Sequence, residues 1–214
     1  MSGDWERVYN ELKGWQAGIG ALVGFVGLIA GALFNAHLNR KRDEQLRAKE
    51  VIAVASALYG EAVILRQAVA GMANAVGRRY LDHGTGRVRD DEAFSRHFME
   101  QYTLPPPLLY QSLAGKVGML PSHITLEIVR FYARVEQAQT WLPRLQEDAE
   151  RPFSYGVLYV LDPAIDAVEG VLPALRAIEK LAGIAEQVGT PDMQYALDVQ
   201  GMERDQWNEI AARD

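Results

Sequence analysis

Residues 17–34 read AGIGALVGFVGLIAGALF, eighteen positions without one charged or strongly polar side chain. A helix rises about 1.5 Å per residue, so this run covers most of a hydrocarbon core about 30 Å thick. Trp15 and Gln16 ahead of it, and Asn35 to Leu38 after it, extend it into the two interfaces. The expected element is a membrane helix over 15–37, and the rest of the chain must fold beside a bilayer.

A cleaved signal peptide is the rival for this segment. It would carry a basic leading region and an apolar stretch of about 7–15 residues ending in a small-residue cleavage site. Residues 1–14 instead hold Asp4, Glu6 and Glu11 against Arg7 and Lys13, and the triplet Ala30-Gly31-Ala32 lies inside the apolar run. The segment therefore reads as a retained anchor, not as a cleaved leader or as the buried helix of a soluble fold. Arg40, Lys41, Arg42, Arg47 and Lys49 follow it, against two basic residues before it. The more basic flank stays cytoplasmic, which puts the N-terminus outside and the C-terminal part in the cytoplasm. The absence of cysteine is compatible with that side. Trp5, Trp15, Arg40, Lys41 and Arg42 are the candidate lipid-headgroup contacts, since aromatic and basic side chains favour that zone. Trp5, Val8, Tyr9 and Leu12 share one face of a short N-terminal segment, as an interfacial helix would.

Within the run, Gly20, Gly24, Gly27 and Gly31 are spaced 4-3-4, and Ala17 extends the row. Glycine is a poor helix former, so four on one stripe need a reason. In lipid the reason is close approach of two helices, where small residues let backbones pack. These five residues are the candidate oligomer face, and the expected partner is a second copy of the chain.

Beyond residue 50 the patterns are helical. Val51, Ala55, Leu58, Ala62, Leu65, Val69, Met72 and Val76 alternate steps of four and three, and so do Ile124, Ile128, Phe131, Val135, Ala138, Leu142 and Leu145. Leu161, Ile165, Val168, Leu172 and Leu175 form a third stripe, continued less regularly by Ile178, Leu181 and Ile184. Each stripe is one helix face, hence a buried seam. GVLYVL (156–161) is too short and isolated to found a sheet. The expected fold is all-α: a single membrane helix running on into a long cytoplasmic helix, plus an antiparallel bundle. The expected helices are 4–13, 15–37, 40–81, 90–101, 107–117, 122–148, 161–187 with a kink at Pro173, and 190–212. Ser122, Asp162-Pro163 and Thr190-Pro191-Asp192 mark helix starts, and Gly84 and Gly86 close the first long helix. The regions are an interfacial segment 1–14, the span 15–37, a basic juxtamembrane helix 38–50 and a bundle domain 51–214.

Residues 51–214 hold 22 acidic against 15 basic residues. That balance argues against nucleic acid as a partner, because phosphate binding needs a basic face. Chemistry-bearing motifs are scarce. His37, His83, His97 and His123 form no close pair, and His97 with Glu100 is too little for a metal site. Ser122 and His123 are adjacent, so they do not face each other on a helix. Gly115-Lys116 lacks the frame of a phosphate loop. Glu61 lies beside the first seam, and a boundary position reaching water is expected, with Arg66 and Arg130 as available partners. No catalytic residue, cofactor or metal is assigned, and an enzyme is not expected. PPPLLYQSLAGKVGMLPSHITLEIVRFY (105–132) joins a stiff proline run, a short helix, a glycine bend and a long helix, and is read as a cap on one bundle end or a docking surface.

The join GWQAGIGALVGFVGLIAGALFNAHLNRKRD and the downstream YQSLAGKVGMLPSHITLEIVRFY resemble uncharacterised single-pass proteins of proteobacteria and their prophages. The resemblance implies a bacterial inner-membrane anchor carrying a helical cytoplasmic region, with no activity to carry over. The expected function is a self-associating membrane protein whose bundle assembles or docks a protein partner. The alternative is an oligomeric pore-forming or membrane-perturbing effector in host–phage conflict, although the span offers no polar stripe to line a pore.

Overall fold

The computed structural model describes residues 3–83, 94–147, 153–185 and 189–212. Its helices are α1 (Gly3–Asp82), α2 (Arg96–Gln101), α3 (Leu108–Leu113), α4 (Ser122–Trp141), α5 (Arg144–Glu147), α6 (Phe153–Gly170), α7 (Leu172–Ala182) and α8 (Gln194–Ala211). A 3-10 turn over Ala114–Met119 links α3 to the approach of α4. Among the described residues there is no strand, so the fold is all-α. The chain divides into two compact units, residues 1–50 and 51–214.

Three expected helices, 4–13, 15–37 and 40–81, form the single helix α1. Neither Gly14 nor Asn39 interrupts it. All nine prolines of the chain lie beyond residue 104, so α1 meets no residue that lacks a backbone donor. The later boundaries follow the prolines more closely than expected. Helix α4 stops at Trp141 instead of 148, because Pro143 cannot donate and restricts Leu142. Pro163, by contrast, sits inside α6, which starts at Phe153 and includes GVLYVL. Asp162 is thus not a helix cap. It is instead a contact to α8, where Oδ1 accepts from Gln200 Nε2 at 2.6 Å and Arg204 Nη2 at 3.0 Å. The expected kink at Pro173 is a break at Val171, with Pro173 in the first turn of α7, where its missing N–H would be unpaired anyway. Gly183, at φ 65°, closes α7 in the left-handed conformation that glycine adopts without strain. Ser122 makes no capping bond. Helix α8 starts at Gln194, four residues later than the expected 190, and its start is held from outside: Asp192 Oδ1 accepts from Gln194 N–H, and Asn74 Oδ1 of α1 from Tyr195 N–H at 2.9 Å. The glycines at 84 and 86 lie outside the described residues.

The seams are buried as expected. Ala55, Leu58, Ala62, Leu65, Val69, Met72 and Val76 of α1 join Ile124, Ile128, Phe131, Val135 and Ala138 of α4, Val160, Leu161, Ile165 and Val168 of α6, and Leu175 and Ile178 of α7 in one apolar core. Helix α4 packs against α6 and α7. The third stripe fades at its end, where Leu181 reaches the surface.

Candidate membrane span and bundle surfaces

The first unit presents its apolar side chains outward. Leu22, Val23, Phe25, Val26, Leu28, Ile29, Leu33 and Phe34 are all exposed, Leu28 at 76 %. The most apolar eighteen-residue window of α1 has a mean hydropathy of 2.2 and no buried residue. This helix is long and apolar enough to cross a membrane. An ideal Cβ on Gly20, Gly24, Gly27 or Gly31 would meet nothing within 4 Å, so the row stands open. The side chain of Ala17 lies outside the described ones. Trp5, Trp15, Arg40, Lys41 and Arg42 are exposed.

In the second unit, polar side chains fasten the helices to one another. Glu61 keeps the boundary position expected beside the seam, half-buried, but its partners are not Arg66 or Arg130: Oε1 accepts from Leu109 N–H at 2.6 Å, and Oε2 from Tyr110 N–H at 2.9 Å and Tyr132 Oη–H at 2.8 Å. It thereby fixes the start of α3, whose first N–H groups have no partner inside the helix. Tyr110 and Tyr132 stack above it, with ring centroids 3.9 Å apart. Burial and the bond to Glu61 push the Tyr132 phenol well above its ordinary pKa.

Arg66 is paired with neither Glu61 nor another carboxylate among the described residues. It is 4 % exposed and donates from Nε to Val168 O at 2.7 Å and from Nη1 to Gly189 O at 2.9 Å. Val168 lies in the last turn of α6, where unpaired carbonyls concentrate negative potential. Burial, then Arg176 nearby, lowers its pKa. Tyr59 donates to Glu179 Oε1 at 2.7 Å, and Arg176 Nη1 donates to Glu179 Oε2 at 3.0 Å. Burial, then the bond to Glu179, raises the Tyr59 phenol to about 12. Tyr80 donates to Glu203 of α8. The buried charged side chains Arg66, Glu179 and Glu203 all have partners, as a polar atom out of water must.

Between α4 and α6 runs a groove of about 630 Å³ floored by Phe131 and Val171, and beside it one of about 560 Å³ between Tyr159 and Trp207. Three ion pairs line them: Glu127 with Arg130 at 3.0 Å, Asp166 with Arg134 at 3.7 Å, and Asp162 with Arg204 at 3.0 Å. Trp141 stacks on Tyr159 at 4.5 Å, with the Arg144 guanidinium 4.5 Å from the Trp141 ring.

Glu100, one turn from His97, accepts from Arg96 Nε at 2.9 Å. Among the described residues no group of three or more His, Asp or Glu could hold a metal ion. Comparison of the chain with protein families, curated proteins and solved structures finds no match.

Proposed function

We propose that this protein is a single-pass anchor of the bacterial inner membrane that self-associates through the span and offers its cytoplasmic bundle for assembly or partner docking. The observation that carries the reading is the eighteen-residue apolar window with no buried residue. Exposing that surface to water would cost roughly 25 cal/mol per Å², which a bilayer removes. The open glycine row supports packing of two such helices, because a second backbone can approach it closely. Trp141, Tyr159, Arg204 and Trp207 support the docking half: tryptophan, tyrosine and arginine are the residue types enriched where proteins bind one another. The pore-forming alternative has less support, since residues 17–34 offer no polar group to water.

Self-association is tested by mass in nanodiscs. Gly24→Ile and Gly27→Ile are expected to shift the protein toward monomer, whereas Leu22→Ile and Leu28→Ile leave its mass unchanged. The same mass in all four variants rejects the glycine face. Orientation is tested with a cysteine in place of Asp214, which is expected to resist an impermeant thiol reagent in intact cells and to react after lysis. Labelling of intact cells reverses the topology.

A further inference from the structure

We infer that Arg40, Lys41 and Arg42 gather anionic phospholipids around α1 where it leaves the apolar window, so that the anchor selects the lipid it sits in. This deepens the anchor reading and rests on it, because it needs α1 in a bilayer.

The structure sets these cations apart from the arginines of the bundle. Among the described residues beyond 50, every arginine has a partner. Arg78 pairs with Asp82, Arg134 with Asp166 and Arg204 with Asp162; Arg66 donates to two carbonyls, and Arg79 and Arg144 lie over the rings of Phe98 and Trp141. Arg40, Lys41, Arg42, Arg47 and Lys49 are all exposed, and among the described residues none makes an ion pair, a hydrogen bond or a ring contact. Asp43 stands four residues before Arg47, a spacing at which helix pairs form, yet the two stay apart. Five free cations on so short a stretch are a surface for anions that the chain does not itself supply.

Position selects the headgroup phosphate as that anion. Arg40 to Arg42 follow Phe34, the end of the apolar run, by six to eight residues, or about 9–12 Å along the helix. The headgroup layer on each side of the hydrocarbon core is about 5–8 Å deep. Lysine and arginine bend their charged ends toward that layer while their stems stay on apolar surface. Charge order points the same way. Three bases come first and the acids Asp43 and Glu44 next, so the positive turn lies nearest the apolar run. An anionic macromolecule arriving from the water meets those acids and a bundle with 22 acidic against 15 basic residues. Successive helix residues are about 100° apart, so the three cations fan over about 200° of the circumference. That suits several lipids around the helix, not one lipid in a pocket. Arg47 and Lys49 stand farther out, where the potential of an anionic leaflet fades within a Debye length of about 8 Å.

The test uses the full chain in phosphatidylcholine vesicles with a trace of spin-labelled phosphatidylglycerol or spin-labelled phosphatidylcholine. Lipid touching the helix is motionally restricted, and the restricted share of each label gives the preference. Phosphatidylglycerol is expected to be preferred about fivefold at a site facing a cation, the factor that one basic residue near a membrane surface supplies. Changing Arg40→Gln, Lys41→Gln and Arg42→Gln together should bring the two shares to parity. Arg40→Lys with Arg42→Lys keeps the charge and should keep the preference, and Arg47→Gln with Lys49→Gln should reduce it less than the triple change. Salt at 1 M, which cuts the Debye length to about 3 Å, should weaken it. Flotation with the vesicles after an alkaline wash reports the anchor separately. Protein that does not float overturns the anchor reading and this inference with it. Protein that floats but holds both labels alike, or whose preference survives the triple change, overturns the inference and leaves the anchor standing. Nucleic acid that co-purifies with the unaltered chain and not with the triple variant assigns these cations to a different polyanion and overturns it as well.

Discussion

Phe131→Ala is expected to destabilise the bundle by about 3–5 kcal/mol, and Leu65→Ala by about 2–5 kcal/mol. Both side chains are at most 2 % exposed and belong to the same core, one from α4 and the other from α1. The loss combines the transfer energy of the deleted atoms with the cavity that packed neighbours cannot fill. Domains of this size have about 5–15 kcal/mol in all, so either change removes a large share. For 150–250 residues each kcal/mol moves the melting temperature by about 2–4 °C, which puts the Phe131→Ala shift at roughly 6–20 °C. Gln137→Ala, at an exposed position of α4, should stay within about 0.5 kcal/mol. Thermal unfolding of the full chain in detergent, followed by helicity at several protein concentrations, provides the check. A melting temperature indifferent to both core substitutions rejects this core. A Leu65→Ala effect that vanishes on dilution would reassign the α1 seam to contacts between subunits.

The seams were legible because burial of one helix face imposes a 3.6-residue period, and α1, α4 and α6–α7 keep it almost without fault. The stripe Ala55 to Val76 is buried at each of its central positions. The polar fastenings were not legible. Glu61 could be placed beside the seam from its spacing, but its partners Leu109, Tyr110 and Tyr132 are 48 to 71 residues away, and two of the three bonds use backbone N–H groups that are the same in every residue. Arg66 reads in the sequence as an available partner for Glu61. Only its juxtaposition to the end of α6 turns it into a donor to Val168. Asp162-Pro163 misled for a related reason. Acid followed by proline is a helix-start signal, yet the apolar positions Val157, Val160 and Leu161 are fully buried ahead of it, and packing carried α6 through the proline.

Gly77→Ala is expected to be the most damaging single-methyl change in the bundle, costing at least about 3 kcal/mol where overpacking ordinarily costs about 1–3. A Cβ on Gly77 would lie 2.5 Å from both C and O of Tyr195 and 2.7 Å from Ala196 N. These are backbone atoms at the start of α8, so no side-chain rotation relieves the clash. Nor can α8 shift freely. Asn74, one turn before Gly77, accepts from Tyr195 N–H, and Tyr80, one turn after it, donates to Glu203. Three residues of α1 at a spacing of three thus clamp α8, and the glycine lets the backbones touch between the two polar bonds. Inside a helix, alanine is intrinsically better than glycine by roughly 0.5–1 kcal/mol, so an unconstrained site would show the opposite sign. Gly201 of α8 is such a site: it is exposed, and a Cβ there meets nothing within 4 Å. Gly201→Ala should therefore raise stability by about 0.5–1 kcal/mol. The pair is separated by thermal unfolding together with proteolysis of the C-terminal helix and with tryptophan emission, in which Trp207 reports on α8 beside Trp5, Trp15 and Trp141. Gly77→Ala should lower the melting temperature and expose α8 to cleavage before the rest of the bundle unfolds. If instead both substitutions stabilise alike, α8 does not pack on α1 at this distance, and the clamp formed by Asn74, Gly77 and Tyr80 is wrong.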